Sequence, residues 1–587
     1  MNSSLRNSTP ISGRSSPNEI LTTRFERMEM DNMKITTLLS CGMLIGSMAQ
    51  TGMAADHYVN PDGNDENPGT LEKPWKTIDR ANRQVLKPGD RLLFAAGKIF
   101  EGNLVLDAQD AGTPEKPVVV GSYGKGRATI NAGLGTAVLI RDAGGVEIHD
   151  LVCIGSGSTK NHGCGITFVN TLPGNVRLKH ARILNVETSG FGRDLKPSAK
   201  KADAYQPPAG CGIFVGGDAS DGSKSGWEDV RIEGCDSHNN EFYGIYITGY
   251  WDEKSKLYAN HNVTISGCRV YKNTGDPEYT DNHSGSGILV EDCDEGLVDR
   301  CVAWENGALC NTKVGGPCGI WTAVARRVVI QRCESYNNRT GKAPDGDGFD
   351  LDGGCIECVL QYNYSHGNDG AGILVYTYAG APHEDRGNIV RYNVSENDAV
   401  KLRQYGAIYV GNHGKGMSGI EVYNNTFITD QPAHGLVNIV GNRVGVSFRN
   451  NILVTKGAPL VNIDRDKDIS VFQGNLYWMK DGKFLTSGKT KSGSLDEWRK
   501  LGKELIDGKP AGLHADPQFE LASPHGTAGD LSRIPGLSCF LPAAGSPAAD
   551  MALDLKALFK IDAVETDFSG RKFPTGKQHD IGACERP

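Results

Sequence analysis

Beyond residue 55 the chain has no apolar run near the roughly 20 residues that a bilayer-spanning helix needs, so no membrane span is expected. A basic stripe is missing too. Lys and Arg number 62 against 70 Asp and Glu, a net charge of -8, which argues against nucleic acid as the main partner. Only one CxxC occurs, Cys355/Cys358, and without a second it does not suggest a zinc site. Glycine, by contrast, is plentiful at 75 residues, and Asn is abundant, a mixture that suits many tight turns between short strands.

With 587 residues the chain can bury a large core, and a length-based domain count must wait on a search for repeats. Residues 1–32 are polar and rich in Ser and Arg, with no hydrophobic period. The following MKITTLLSCGMLIGSMAQTGMAA, Met33 to Ala55, has the form of a cleaved signal peptide. We therefore expect translation to begin at Met33 and the protein to be secreted or periplasmic.

Two phrases alternate from about residue 145 to 455. One opens on Gly: GIFV at Gly212, GIYI at Gly244, GILV at Gly287, GIWT at Gly319, GFDL at Gly348 and GILV at Gly372, continued by AIYV at Ala407. The other is a β-branched strand ending in a polar turn, as in VRIEGCDSHNN and VTISGCRVYKN. The openings are unevenly spaced, which implies a repeat core of about two dozen residues with insertions in loops, as in a coiled β-solenoid.

Aligning the second phrase gives one column of Cys235, Cys268, Cys301, Cys333, Asn363, Asn393, Asn425 and Asn451. Five residues on, a second column holds Asn240, Asn273, Asn306, Asn338, Asn368, Asp398 and Asp430. Stacked Asn can satisfy turn backbone groups and one another, and stacked Cys acts as a small buried hydrophobe, so these cysteines are expected to be free. The Cys310/Cys318 pair, in one inserted loop, is the best disulfide candidate.

With these columns the chain resembles the right-handed parallel β-helix proteins of the pectate-lyase-like superfamily. The segment YVNPDGNDENPGTLEKPWKTIDRANRQVLKPGDRLLFAAG is similar to their entry segment, and GSPAAD…DFSGRKFPTGKQHDIGACERP to their closing one. The resemblance implies an all-β right-handed parallel β-helix with a capping helix at about Thr77–Val85 and a small C-terminal closing segment. On that basis residues 56–145 form the cap and first rungs, 146–455 the central repeats, and 456–587 the last rungs and closure. A short helix at Ser494–Glu504 is expected on the side of the coil. The superfamily includes lyases, hydrolases, epimerases and adhesins, so the fold alone does not fix the function.

Alternation along the Gly-opened strands does give a surface. Position two is apolar throughout and points inward. Position three (Phe214, Tyr246, Leu289, Trp321, Asp350, Leu374, Tyr409) and position five (Gly216, Thr248, Glu291, Ala323, Asp352, Tyr376, Gly411) point out. Aromatic residues on an outward face either lie under loops as a secondary cluster or line a groove in which rings stack on sugars. Long insertions entering and leaving this one sheet favour a groove. Phe214, Tyr246, Trp321, Tyr376 and Tyr409 are its substrate-binding candidates, with His283 and His366 as polar contacts.

The stretch DGDGFDLDGG at Asp345–Gly354 carries four acids in eight residues. Asp350 and Asp352 share a face about 7 Å apart at Cα, with Glu291 about 9.6 Å away, two rungs back. These three are the catalytic candidates, because clustered carboxyls divide into an acid and a base. Asp345 and Asp347 read as turn residues and are weak candidates for Ca2+; otherwise no cofactor is expected. Pectate lyases similar to this chain use calcium and a basic residue, one group with a Lys after Gly-Phe, where Asp350 stands here. The ranking is a polysaccharide or oligosaccharide hydrolase first, a lyase second and a non-catalytic glycan-binding solenoid third, acting as a monomer.

Overall fold

The computed structural model describes residues 54–587, except 194–208, 466–467, 521–524, 539, 563, 574–577 and 587. The polar extension and nearly all of the expected signal peptide lie outside the described residues. Among the described residues the chain coils from Asp56 to His514 as a parallel β-helix, with one sheet of 26 strands, a second of 14, and parallel pairing throughout both. Each turn lays a Gly-opened strand and a β-branched strand on the large sheet, then a short strand on the small one. Ile213–Gly217, Gly226–Glu233 and Asp236–His238 form one such turn.

The outward and inward columns fall in register as the alternation requires. Ile213, Ile245, Ile288, Ile320, Phe349, Ile373 and Ile408 pair rung to rung and all lie in the apolar core. Their neighbours Phe214, Tyr246, Leu289, Trp321, Asp350, Leu374 and Tyr409 pair in the same order on the other side of the sheet.

Both turn columns are hydrogen-bonded ladders. The amide of Asn363 gives its Nδ2 hydrogen to Asn393 Oδ1, Asn393 to Asn425, Asn425 to Asn451 and Asn451 to Asn475, each at 2.9–3.1 Å. Asn240, Asn273, Asn306, Asn338 and Asn368 repeat this in the second column, which ends on Asp398. Asp430 leaves that column, being exposed and paired with Lys480. Cys235, Cys268, Cys301 and Cys333 are buried and free. Cys310 and Cys318 are also free, so the expected disulfide does not form. Both thiols are buried and Cys318 lies in the strand Cys318–Gln331 itself, so the two do not share one inserted loop.

The glycine column has a packing cause. A Cβ at Gly319 would lie 1.9 Å from Ser335 Oγ, and one at Gly348 would lie 2.1 Å from Ser365 Oγ. These serines sit inside the coil and bond the ladder amides, as Asn338 Nδ2 donates to Ser335 Oγ at 3.0 Å. The backbone therefore runs against the ladder where a side chain would stand. Gly348→Ala is expected to cost about 3 kcal/mol through overpacking and broken ladder bonds, read as a lower urea midpoint.

The capping helix is shorter than expected, Ile78–Ala81, with Thr77 Oγ1 accepting from Arg80 N. Beyond Ala81 the bonds tighten to three-residue turns and the helix stops. The second expected helix is Leu495–Lys500, capped by Ser494. It halts before Gly502, whose φ is +82°, and Glu504 turns inward instead. Its carboxylate accepts from Asn475 Nδ2 and Gly474 N and so finishes the Asn ladder.

Candidate active site

The outward face divides into a covered half and an open half. Phe214 is 2 % exposed and Trp321 3 %, packed with Leu289, Phe242 and Tyr243. Arg193 lies over the rings of Phe242 and Tyr279, closing this cluster. Burial therefore overrides the expectation that Phe214 and Trp321 offer open faces to sugars. Tyr246, Tyr376 and Tyr409 remain partly accessible.

His283 joins the covered half. Its Nδ1 lies 2.6 Å from Tyr243 OH, its ring meets Trp321 edge-on, and burial pushes its pKa down to about 4, so it is neutral. His366 is not in the groove. It lies in Tyr364–His366 on the small sheet, stacked on Tyr336 at 4.9 Å and bonded to Glu334. The phrase YSHGN closes a rung's third strand, which lies on the small sheet although it directly precedes the groove strand Ile373–Thr377 in sequence, and this explains the misplacement.

Where the aromatics stop, acids begin. The strand Asp347–Leu351 holds Asp347 and Asp350, with Asp345 before it and Asp352 just after. Asp350, 5 % exposed, is buried with Oδ1 unpartnered. Asp347 Oδ1 accepts from Ala371 N on the next rung, and its Oδ2 is buried and unpartnered. Asp347 is thus a strand residue tied across rungs and does not act as a turn cap. Asp345 has φ +64° and accepts from Tyr405 OH at 2.6 Å. Asp345 and Asp352 both remain partly accessible.

Glu291 faces the same space from two rungs back. Its Oε2 accepts from Tyr246 OH at 2.9 Å and Thr248 Oγ1 at 2.6 Å. Behind the strand ends lies a buried acid that sequence reasoning missed, Asp385, whose Oδ1 accepts from Cys355 N at 2.6 Å.

Desolvation and mutual repulsion raise this whole group, because each charge here is expensive without a partner. Burial lifts Asp352 to about 7, with Asp345 the leading like charge and Glu291 the next. It lifts Asp345 to about 6 against the opposing bond from Tyr405. Asp347, Asp350 and Asp385 are pushed well above the usual carboxylate range by burial and then by neighbouring acids. Glu291 is raised by burial, less so because Thr248 and Tyr246 bond it. Among the described residues no Lys, Arg or His is ion-paired with any of the six. Nor, among the described residues, does any group of three His, Cys, Asp or Glu side chains take up metal-ligand geometry.

Register and burial define the fold as a parallel β-helix with a cluster of carboxyls on one outward face. Residues 205–386 match the family model for a right handed beta helix region. The chain is similar to a lacto-N-biosidase of Bifidobacterium longum subsp. longum, 23% identical over 620 residues, covering 91% of this chain and 36% of the relative. It thus spans little more than a third of that relative's length. Among solved structures it is similar to a GH136 lacto-N-biosidase from Eubacterium ramulus, with TM-score 0.49 and 20% identity over 67% of this chain and 68% of that one. A pectate lyase gives TM-score 0.40 and 14% identity over 91% and 96%.

Proposed function

We propose that the protein hydrolyses glycosidic bonds of a neutral oligosaccharide, with Asp352 and Asp345 as the acid and base of the reaction. One observation carries this reading. Of the four acids in DGDGFDLD, the two that reach the cleft are Asp345 and Asp352, and Asp345 is the like charge that Asp352 feels most. Two interacting carboxyls with separated affinities for a proton are what acid–base cleavage of an acetal needs. Asp352, the more basic, holds the proton and delivers it to the departing glycosidic oxygen. Asp345, ionised first and oriented by Tyr405, faces the anomeric carbon or the water that attacks it.

The remaining candidates take supporting roles. Glu291, held by Tyr246 and Thr248, is placed to bond a sugar hydroxyl. Tyr376 and Tyr409 offer ring surface at the cleft, as Tyr246 does at its other end. Asp350 lies behind as a buried neighbour. With no cation paired to any of the six acids, a uronate or a sulfated sugar would find no counter-charge among them, which sets this site apart from one that binds pectate. The similarity to a protein named lacto-N-biosidase supports the hydrolase reading, and the oligosaccharides on which such enzymes act are the first substrates to try.

The test assays neutral and acidic oligosaccharides for new reducing ends and for the absorbance of unsaturated products. Reducing ends from neutral substrates alone are expected; unsaturated products would overturn the reading in favour of a lyase. Activity should peak between about pH 6 and pH 7, rising as Asp345 ionises and falling as Asp352 loses its proton. Because the two groups interact, the limbs report the pair. A rate that still climbs above pH 8 would exclude Asp352 as the acid.

A further inference from the structure

We propose that Asp385 is a positioning residue for Asp352, holding from the next rung the Gly353–Gly354–Cys355 turn that sets where Asp352 projects. This inference rests on the catalytic reading of Asp352 and adds the device that places it.

The turn is constrained on several sides. Asp352 N donates to Thr322 O at 2.9 Å, and Val324 N donates to Gly353 O at 3.0 Å. Gly354 has φ +87°, a conformation that favours glycine. A Cβ at Gly353 would lie 2.5 Å from the Tyr378 ring, so the turn is pressed against the loop that leads into Asp385. From that loop Asp385 reaches back, and its Oδ1 accepts from Cys355 N at 2.6 Å. Three residues on, Asn388 clamps the same segment: Oδ1 accepts from Cys358 N and Nδ2 donates to Cys355 O, each at 2.9 Å.

Asp385 and Asn388 thus hold one short segment from opposite ends, but they use their atoms differently. Asn388 engages both side-chain atoms, as the ladder asparagines do. Asp385 engages Oδ1 only; its Oδ2 is buried and unpartnered, with Asp352 the leading like charge on it. Its other titratable neighbours include the buried Cys355 and Cys358 and the half-buried Tyr378, and among the described residues no cation is paired with it. An ionised carboxylate in that position would be costly, so Asp385 is held protonated, and it positions Asp352 without adding a charge beside it.

The experiment compares Asp385→Ala and Asp385→Asn with the wild type, using kinetics on the oligosaccharide that the wild type cleaves and crystal structures of both variants. Asp385→Ala is expected to lower kcat about 100-fold through misplacement of Asp352, with KM little changed. Its structure should show residues 352–355 displaced. Asp385→Asn, which keeps the acceptor and adds no charge, should restore most of the rate and leave the pH limbs in place. Wild-type kcat with Asp385→Ala, an undisturbed turn, or an Asn variant as impaired as the Ala variant would each overturn the proposal. If Asp385→Ala does not fold, Asp385→Ser, too short to reach Cys355 N, replaces it under the same expectations. The structural readout needs no turnover, so a wrong substrate reading would show as an inactive wild type while the turn is still tested.

Discussion

Asp352→Asn is expected to lower kcat by about 10³-fold while the thermal melt is kept or raised, because the amide matches the carboxyl in shape but cannot give up a proton to the leaving oxygen. The side chain lies at a strand end with Oδ1 buried and unpartnered, so the substitution breaks no protein hydrogen bond there. Asp345→Asn should lose comparably in rate, since the base or nucleophile is removed, although Tyr405 OH can still donate to the amide oxygen. Glu291→Gln keeps the bonds from Tyr246 and Thr248 and should mainly raise KM. Asp350→Asn, buried behind the cleft, should cost far less than Asp352→Asn. These four variants assayed together separate the roles: if Asp350→Asn proves the most damaging, the reacting acid is the one within the strand and the assignment of Asp352 fails. An Asp352→Asn protein with full turnover would remove Asp352 from the chemistry altogether.

Much of the fold was legible because it is periodic. Gly-Ile at strand starts fixed the inward column, and the spacing of Cys235, Cys268, Asn363 and Asn393 gave the ladder, since every rung repeats the same contacts. The outward register was legible for the same reason, and it placed Glu291, Asp350 and Asp352 on one face. Burial on that face was not legible. Whether Trp321 meets water depends on Phe242, Tyr243 and Tyr279 packing into one cluster with it from other rungs, and no local pattern encodes that. Asp345 reads as a turn residue because a glycine follows it, and its bond from Tyr405, 60 residues away, has no local signal. Asp385 carried a usable signal: it stands 30 residues after Cys355, as Asn363 stands 30 after Cys333, so an acid there occupies a place where an amide is the rule. His366 was misplaced by a missing strand in the count, since its rung turns through the small sheet before returning to the groove.

The clustered acids should also make the protein less stable as pH rises. A buried carboxyl whose folded pKa lies above its unfolded value, near 4, holds a proton in the folded state that the unfolded chain has lost. Its contribution is therefore complete below that unfolded value and declines as pH climbs through the window up to the folded pKa, at about 1.4 kcal/mol per pH unit for each such group. Asp347, Asp350 and Asp385 lie in this class, and Asp345 and Asp352 join it up to about 6 and about 7. His283 and His383, both pushed by burial to about 4, work the other way below their unfolded value of about 6.5. Above about pH 6.5 the histidines no longer contribute, and below about pH 8 the unfolded thiols do not yet ionise. Within that interval urea midpoints should fall steadily with pH. Asp350→Asn removes one of the protons, so its urea midpoints should fall less steeply with pH than those of the wild type. An unchanged slope would mean that Asp350 is ionised in the folded protein, and a charge left unpaired at that depth would need a cation in the cleft to hold it.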